Sequence, residues 1–178
     1  MTTGIEGGLD LRLFNGRITV DFTYYHQKTV DILVARPIAP TTGYSNLWQN
    51  SGEMLNKGIE LSVGFTPVKT SDFIWDVNLN FTKNESEVLQ LAEGVDEINI
   101  ESAFTSMGSY AIVGDPYGAL YSDKWQRDEA GKMVIDAEGY PIIADLRGNV
   151  GNPFPDWLMN IRNTVSYKKI ISELFIRY

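Results

Sequence analysis

Few residues of this chain are of a type that does covalent or metal chemistry. His26 is the only histidine and there is no cysteine, so the His/Cys set of a usual zinc site cannot be assembled. Asp123, Asp128, Glu129 and Asp136 lack the alternating acidic spacing and glycine of a calcium loop and read as a solvated loop face. Asp10 and Asp21 could face each other as paired carboxylates, but nothing nearby would push their pKa values apart for acid and base work. No serine has a base within a recognisable pattern. The sequons at Asn80-Phe81-Thr82 and Asn84-Glu85-Ser86 are short enough to arise by chance. The chain therefore reads as neither an enzyme nor a cofactor or metal carrier. What remains is aromatic: Tyr44, Trp48, Tyr110, Tyr117, Tyr121 and Trp125 fall outside the regular segments. Such rings stack on sugars, pack on a partner protein or simply pack on one another. Tyr44, Trp48, Tyr117, Tyr121 and Trp125 are the candidate substrate-binding residues.

These rings need a frame, and composition limits what the frame can be. The chain has 178 residues, 43% hydrophobic, with a formal net charge of -8. It carries no basic run able to track a phosphate backbone, so nucleic acid is set aside as a partner. No apolar stretch approaches the ~20 residues of a membrane helix. The start, Met1-Thr2-Thr3-Gly4-Ile5, has no basic and apolar leader, so for an exported protein the leader lies upstream and the chain reads as a piece of a longer one. The lack of cysteine leaves the redox compartment open.

Polarity alternates with a period of two, the mark of a two-faced strand. Leu9, Leu11 and Leu13 lie opposite in face to Asp10 and Arg12, and after Asn15-Gly16 the alternation resumes at Ile18, Val20, Phe22 and Tyr24. Asn-Gly between alternating runs signals a type I′ hairpin. A two-residue turn there sets Leu13 against Ile18, Leu11 against Val20 and Leu9 against Phe22. Asp10 then opposes Asp21, with Arg12 diagonal to offset the repulsion. A second hairpin joins Ile59, Leu61, Val63 and Phe65 to Phe73, Trp75, Val77, Leu79 and Phe81. With its turn at Lys69-Thr70-Ser71, Phe65 faces Trp75 and Ile59 faces Phe81. A third joins Trp157, Met159, Ile161 and Val165 through Tyr167-Lys168-Lys169 to Ile170–Tyr178, whose alternation is poor.

The expected fold is an all-β antiparallel meander of about six strands with connections of roughly two, twenty, five, seventy and three residues. Short and long ends alternate, as in outer-membrane barrels, where turns are tight on one side and loops long on the other. On this reading residues 39–57 and 85–156 are extracellular loops. The longer one is expected to hold a small hairpin, with Ala119-Leu120-Tyr121 and Met133-Val134-Ile135 about the turn Asp128-Glu129-Ala130-Gly131. A soluble extracellular β-sandwich that binds carbohydrate or adhesive partners would also alternate. Against it stand strands of about 9–11 residues and an apolar face ending in Phe14, Tyr24, Phe65, Phe73, Trp75 and Phe81, as an interfacial girdle requires. A piece of six strands also leaves two bare edges.

The stretch Gln49-Asn50-Ser51-Gly52-Glu53-Met54-Leu55-Asn56-Lys57-Gly58-Ile59-Glu60-Leu61, preceded by Asp21-Phe22-Thr23-Tyr24-Tyr25 and Lys28-Thr29-Val30-Asp31, resembles the C-terminal barrel half of SusC/RagA-type TonB-dependent transporters. So do Trp75-Asp76-Val77-Asn78-Leu79-Asn80-Phe81, Gly114-Asp115-Pro116-Tyr117-Gly118, Gly148-Asn149 and Asn152-Pro153-Phe154-Pro155-Asp156-Trp157. Residues 1–178 then form part of a large transmembrane β-barrel of the plugged, 22-stranded kind. The resemblance implies import of oligosaccharides or peptides across the outer membrane of a Bacteroidetes-like cell. It also implies outer-membrane lipid around the wall, a SusD-like lipoprotein over the mouth and a TonB complex engaged through parts outside this segment. Asn50, Gly52, Asn56 and Gly58 are expected to shape a loop before a strand.

Overall fold

The computed structural model describes residues 1–104 and 106–178. The chain is all-β: β1 (Thr2–Leu13), β2 (Ile18–Pro37), β3 (Asn46–Lys69), β4 (Phe73–Gln90), β5 (Glu97–Phe104), β6 (Met107–Ile112), β7 (Ala119–Ser122), β8 (Gly148–Gly151), β9 (Leu158–Tyr167) and β10 (Ile170–Arg177). Among the described residues a 3-10 turn, Pro40–Thr42, interrupts them. Six strands form one sheet in the order β1-β2-β3-β4-β9-β10, the expected meander, and four form another in the order β5-β6-β7-β8. β1 and β10 are the edges of the first sheet.

The first hairpin has the expected register, with Leu13 opposite Ile18, Leu11 opposite Val20, Leu9 opposite Phe22 and Asp10 opposite Asp21. Arg17 N donates to Phe14 O at 3.3 Å, and Asn15 and Gly16 have φ of +55° and +80°, as a type I′ turn demands. The third hairpin turns at Lys168-Lys169, with Ile170 opposite Tyr167. The second differs slightly. Ser62 bonds Asn80 (2.9 Å) and Thr66 bonds Asp76 (2.7 Å) across the strands, two residues along from a turn at 69–71. Phe73 N donates to Thr70 Oγ1 at 2.9 Å and closes the turn there. A shift of two leaves every side chain on its expected face.

Strand lengths depart further. β1 begins at Thr2, not Leu9, and β3 begins at Asn46, so 46–57 is strand and only 38–45 is left as a connection. β4 runs to Gln90, and 85–156 holds the whole second sheet. Met133 pairs with Arg127, while β7 pairs with β6 and β8, so the expected hairpin between 119–121 and 133–135 is replaced by two separate pairings.

The chain divides into two compact units. One comprises Met1–Thr29, Leu55–Glu85 and Pro155–Tyr178; the other comprises Val30–Met54 and Ser86–Phe154. Their interiors differ. The buried apolar residues among those described, including Val34, Val88, Leu91, Ala111 and Ala119, all belong to the second unit. In the first unit no described apolar side chain is buried.

Candidate functional site

The first unit is a wall with two unlike faces. Leu9, Leu11, Leu13, Phe22, Phe65 and Trp75 are exposed, Leu9 at 53%. In β4 the apolar positions pair in register with β9: Trp75 with Val165, Leu79 with Ile161 and Phe81 with Met159. This face has a definite limit. Beyond Ile59 and Phe81 its next positions are Lys57, Lys83 and Glu85, which form ion pairs, Lys57 to Glu85 at 3.3 Å and Lys83 to Glu85 at 2.8 Å. The rings of Phe81 and Trp157 stack near this limit at 6.2 Å, and Phe14, Phe65, Phe73 and Tyr167 gather toward the turns.

The other face is a lattice of polar bonds, Ser62 to Asn80 and Thr66 to Asp76 among them. Arg162 donates to Glu173 at 2.8 Å. Tyr25 donates to Asn84 Oδ1 at 3.0 Å. Gly58 and Gly64 lie within this face, where a Cβ would stand 2.5 Å from the Tyr25 hydroxyl and 2.4 Å from Thr19 Oγ1 respectively. Neither has a positive φ. The expectation that Gly52 and Gly58 shape a loop is corrected: both lie inside β3, and glycine is needed for close approach. At Gly52 a Cβ would meet Val34 Cγ2 at 2.9 Å.

The second unit contains a cavity of about 470 Å³ whose lining includes Ile32, Val34, Val88, Leu91, Ile98 and Ala111. Two of the candidate rings, Trp48 and Tyr117, also line it, and at 64% and 43% exposure they stand at its mouth. Tyr117 is held by the connection Gly114-Asp115-Pro116-Tyr117-Gly118, whose two glycines have φ of +89° and +86°, a conformation side chains disfavour. That connection is tied to β4, because Gly114 N donates to Val88 O and Val88 N to Asp115 O.

Tyr121 is elsewhere. Its hydroxyl donates to Asp115 Oδ2, and that hydrogen bond, followed by burial and the carboxylate charge, pushes its pKa up to about 12. Asn149 donates to the other oxygen of Asp115 at 3.3 Å. Arg147 donates to the Tyr110 hydroxyl (2.5 Å) and to Glu97 (2.9 Å), and the Tyr110 contact, followed by Glu97, holds its pKa above the ordinary arginine value. Tyr110 and Tyr121 meet edge to face at 6.0 Å. Tyr121 and Tyr110 are thus struts and not free platforms.

Trp125 lies on a separate knob. Gln126 N donates to Ile142 O, Ile142 N to Val134 O and Val134 N to Gln126 O, a closed ring of three backbone bonds. Asp128 and Asp136 cap its two outer turns through Lys132 N, Glu138 N and Tyr140 N, as Asx turns do. Trp125, Ile135, Tyr140 and Ile143 stay exposed. Tyr44 is exposed after the 3-10 turn. The structure thus joins Trp48 to Tyr117 and leaves Tyr44 and Trp125 apart from them.

A family model of the TonB dependent receptor-like β-barrel matches residues 1–170. The chain belongs to the TonB-dependent receptor β-barrel family. It is 32% identical to TonB-dependent receptor P3 of Formosa agariphila, over 97% of this chain and 20% of that protein. It is 30% identical to TonB-dependent receptor SusC of Bacteroides thetaiotaomicron, over 99% of this chain and 19% of that protein. It therefore spans about a fifth of these relatives. The RagAB peptide transporter shares the fold, with a TM-score of 0.76 at 21% identity over 99% of this chain and 20% of that one. The same importer in its open-open state gives 0.78 at 20% identity, with the same coverage.

For a TonB-dependent receptor barrel segment, the two-faced sheet is wall and the second unit carries the recognisable cavity. Sequence reading missed Val88, Leu91 and Ala111, since it placed β4 beyond residue 85 in a loop. It also missed Asp115 and Arg147 as organisers. The one signal for Asp115 is its place between Gly114 and Pro116, a turn-like string carrying a carboxylate.

Proposed function

We propose that this chain is a section of the wall and mouth of an outer-membrane transporter that imports oligosaccharides or peptides. In this reading a SusD-like lipoprotein caps the mouth, a TonB complex drives transport through other parts of the protein, and outer-membrane lipid bathes the apolar face. One observation carries the reading: the apolar face of the first unit is uncovered and ends at charged pairs, while its reverse face is bonded throughout by polar side chains. A sandwich would invert this, burying the apolar face as its core. The uninterrupted run from Phe73 to Phe81 is nine residues, within the ~9–11 of a tilted membrane strand.

Residues 38–45 and the segment 85–156 are assigned to the extracellular side, where long loops lie in such barrels. Trp48 and Tyr117 are the substrate contacts, with Tyr121 a positioning residue behind them. Tyr44 and Trp125, exposed and outside the cavity, are left to the lipoprotein. The test is extraction of the protein from cell envelopes. A species that partitions with outer membranes, needs detergent and changes gel mobility on heating supports the proposal, and a monodisperse protein in plain buffer overturns it.

A further inference from the structure

We infer that the tight-turn end of the first unit is a docking surface for anionic phospholipid headgroups, with Arg17, Lys69, Lys168 and Lys169 as its cations. This rests on the transporter reading and names the lipid that its wall selects.

Three turns meet at that end. Segments 14–17, 69–72 and 167–170 carry these four cations against one carboxylate, Asp72, in a chain whose net charge is -8. Backbone bonds knit the turns into one row: Thr66 N donates to Arg17 O and Lys168 N to Asp72 O, each at 2.8 Å. Arg17 and Lys69 line a common hollow with Phe14 and Thr66. All four cations are exposed. Among the described residues none of them reaches a carboxylate at ion-pair distance.

The opposite limit of the apolar face is built differently. There Lys57 and Lys83 close onto Glu85 at 3.3 and 2.8 Å, so their charge is answered from within the wall. At the turns the counter-charge comes from outside, and what adjoins the cations shows its nature. Lys69 continues the alternation of Phe65 and Pro67 and so falls on the apolar face. Phe73 pairs with Tyr167, and directly opposed residues share a face, which sets two rings at the end of the greasy band. Lys168 Nζ lies 5.4 Å from the centre of the Tyr167 ring, within cation–π reach. Rings that end an apolar face, with cationic groups just past them, match an acyl chain followed by a phosphate. A soluble anion would use the cations and leave the rings idle.

Turn geometry supplies an independent observation. Lys168 has φ of +53°, a region where Gly or Asn is the ordinary choice. A long cationic side chain works against the turn there, and strain of this kind points to a role beyond the turn. Tight turns are periplasmic in such barrels, so the headgroups belong to the periplasmic leaflet.

The test is native mass spectrometry of the full-length protein in detergent, titrated with phosphatidylglycerol and phosphatidylcholine of identical acyl chains. The parent should hold phosphatidylglycerol about 10-fold or more tightly, and the gap should shrink with salt. Replacing Arg17, Lys69, Lys168 and Lys169 together by Gln should remove the preference, while Lys57→Gln with Lys83→Gln at the opposite limit should keep it. Lys168→Gly suits the turn and serves where the fourfold variant does not fold; it should weaken the preference about 5-fold, the worth of one basic residue at an anionic surface. Equal retention of the two lipids, a parental preference in Lys168→Gly or in the fourfold variant, or an equal loss in the Lys57 and Lys83 variant would each overturn the site. Displacement of phosphatidylglycerol by millimolar inorganic phosphate would overturn lipid as the occupant. A detergent-requiring, heat-modifiable species with any of those outcomes leaves the transporter reading standing, so the two failures are distinguishable.

Discussion

Tyr25 lies across Gly58. A Cβ at Gly58 would stand 2.5 Å from the Tyr25 hydroxyl oxygen and also 2.5 Å from the Lys83 carbonyl oxygen, so three neighbouring strands converge on one missing side chain. Tyr25 reaches over the glycine to donate to Asn84 at 3.0 Å, bridging β2 to β4 over β3. The glycine of the Asn56-Lys57-Gly58 string is explained by this crossing and not by a turn.

Gly58→Ala should therefore destabilise the wall by about 1–3 kcal/mol, as overpacking does, because one of the two colliding atoms is backbone and cannot swing aside. Tyr25→Phe keeps the ring and loses the bond to Asn84, for about 0.5–1.5 kcal/mol. Urea titrations in detergent should rank Gly58→Ala below Tyr25→Phe below the parent. An unchanged midpoint for Gly58→Ala would show that the strands separate freely there.

Legibility in the sequence followed polarity. The hairpin at Asn15-Gly16 could be registered residue by residue, because turn chemistry and apolar alternation agree on one pairing. The same rule failed past Lys57, Lys83 and Glu85. Beyond that charged limit apolar alternation no longer marks the strand, so nothing in the residue types distinguishes β3 at Asn46 or β4 at Gln90 from loop, yet backbone pairing continues. β5 to β8 are short, and β5 carries irregularities at Asn99/Glu101 and Ser102/Phe104. The contact of Asn149 with Asp115 joins two strings 34 residues apart, a distance no local pattern spans. Of the candidate rings, Trp48 and Tyr117 line one cavity, and Trp48 reaches it from the early part of β3 that the residue types do not mark.

The charged limit makes a depth-dependent prediction. Val77 lies midway along the run from Phe73 to Phe81, and Phe81 lies beside Lys83. Val77→Arg should destabilise the bilayer-inserted protein by about 2–4 kcal/mol and Phe81→Arg by about 0–1 kcal/mol from insertion alone. Phe81 also loses its stacking on Trp157, for about 0.5–1.5 kcal/mol, so its total is about 0.5–2.5 kcal/mol and the gap narrows. Denaturant titration in lipid vesicles measures both. Equal effects would remove the membrane from the explanation.

Asp115 makes a local prediction. Its carboxylate receives Tyr121 and Asn149 on separate oxygens, so Asp115→Ala strips both bonds from the second unit and leaves two partners unpaired, at about 1–3 kcal/mol for each that stays shielded from water. Hydrogen exchange should accelerate in β7 and β8 while β1 and the start of β2 keep parental rates. Uniform acceleration through both would mean that the two units unfold as one.

Tyr121 supplies the pH test. Its pKa is raised from 10.0 to about 12, so the folded state favours the neutral phenol that donates to Asp115. A raised pKa contributes stability that is complete below the unfolded value and lost as pH rises through the folded one. The contribution of this bond is therefore whole below pH 10 and gone above about 12. Ultraviolet titration of the tyrosines should show one phenol ionising near the top of that window, absent in Tyr121→Phe. In Asp115→Asn the carboxylate charge is gone, so the same phenol should ionise closer to 10. If Asp115→Asn leaves the late phenol in place, the carboxylate charge is not what raises it.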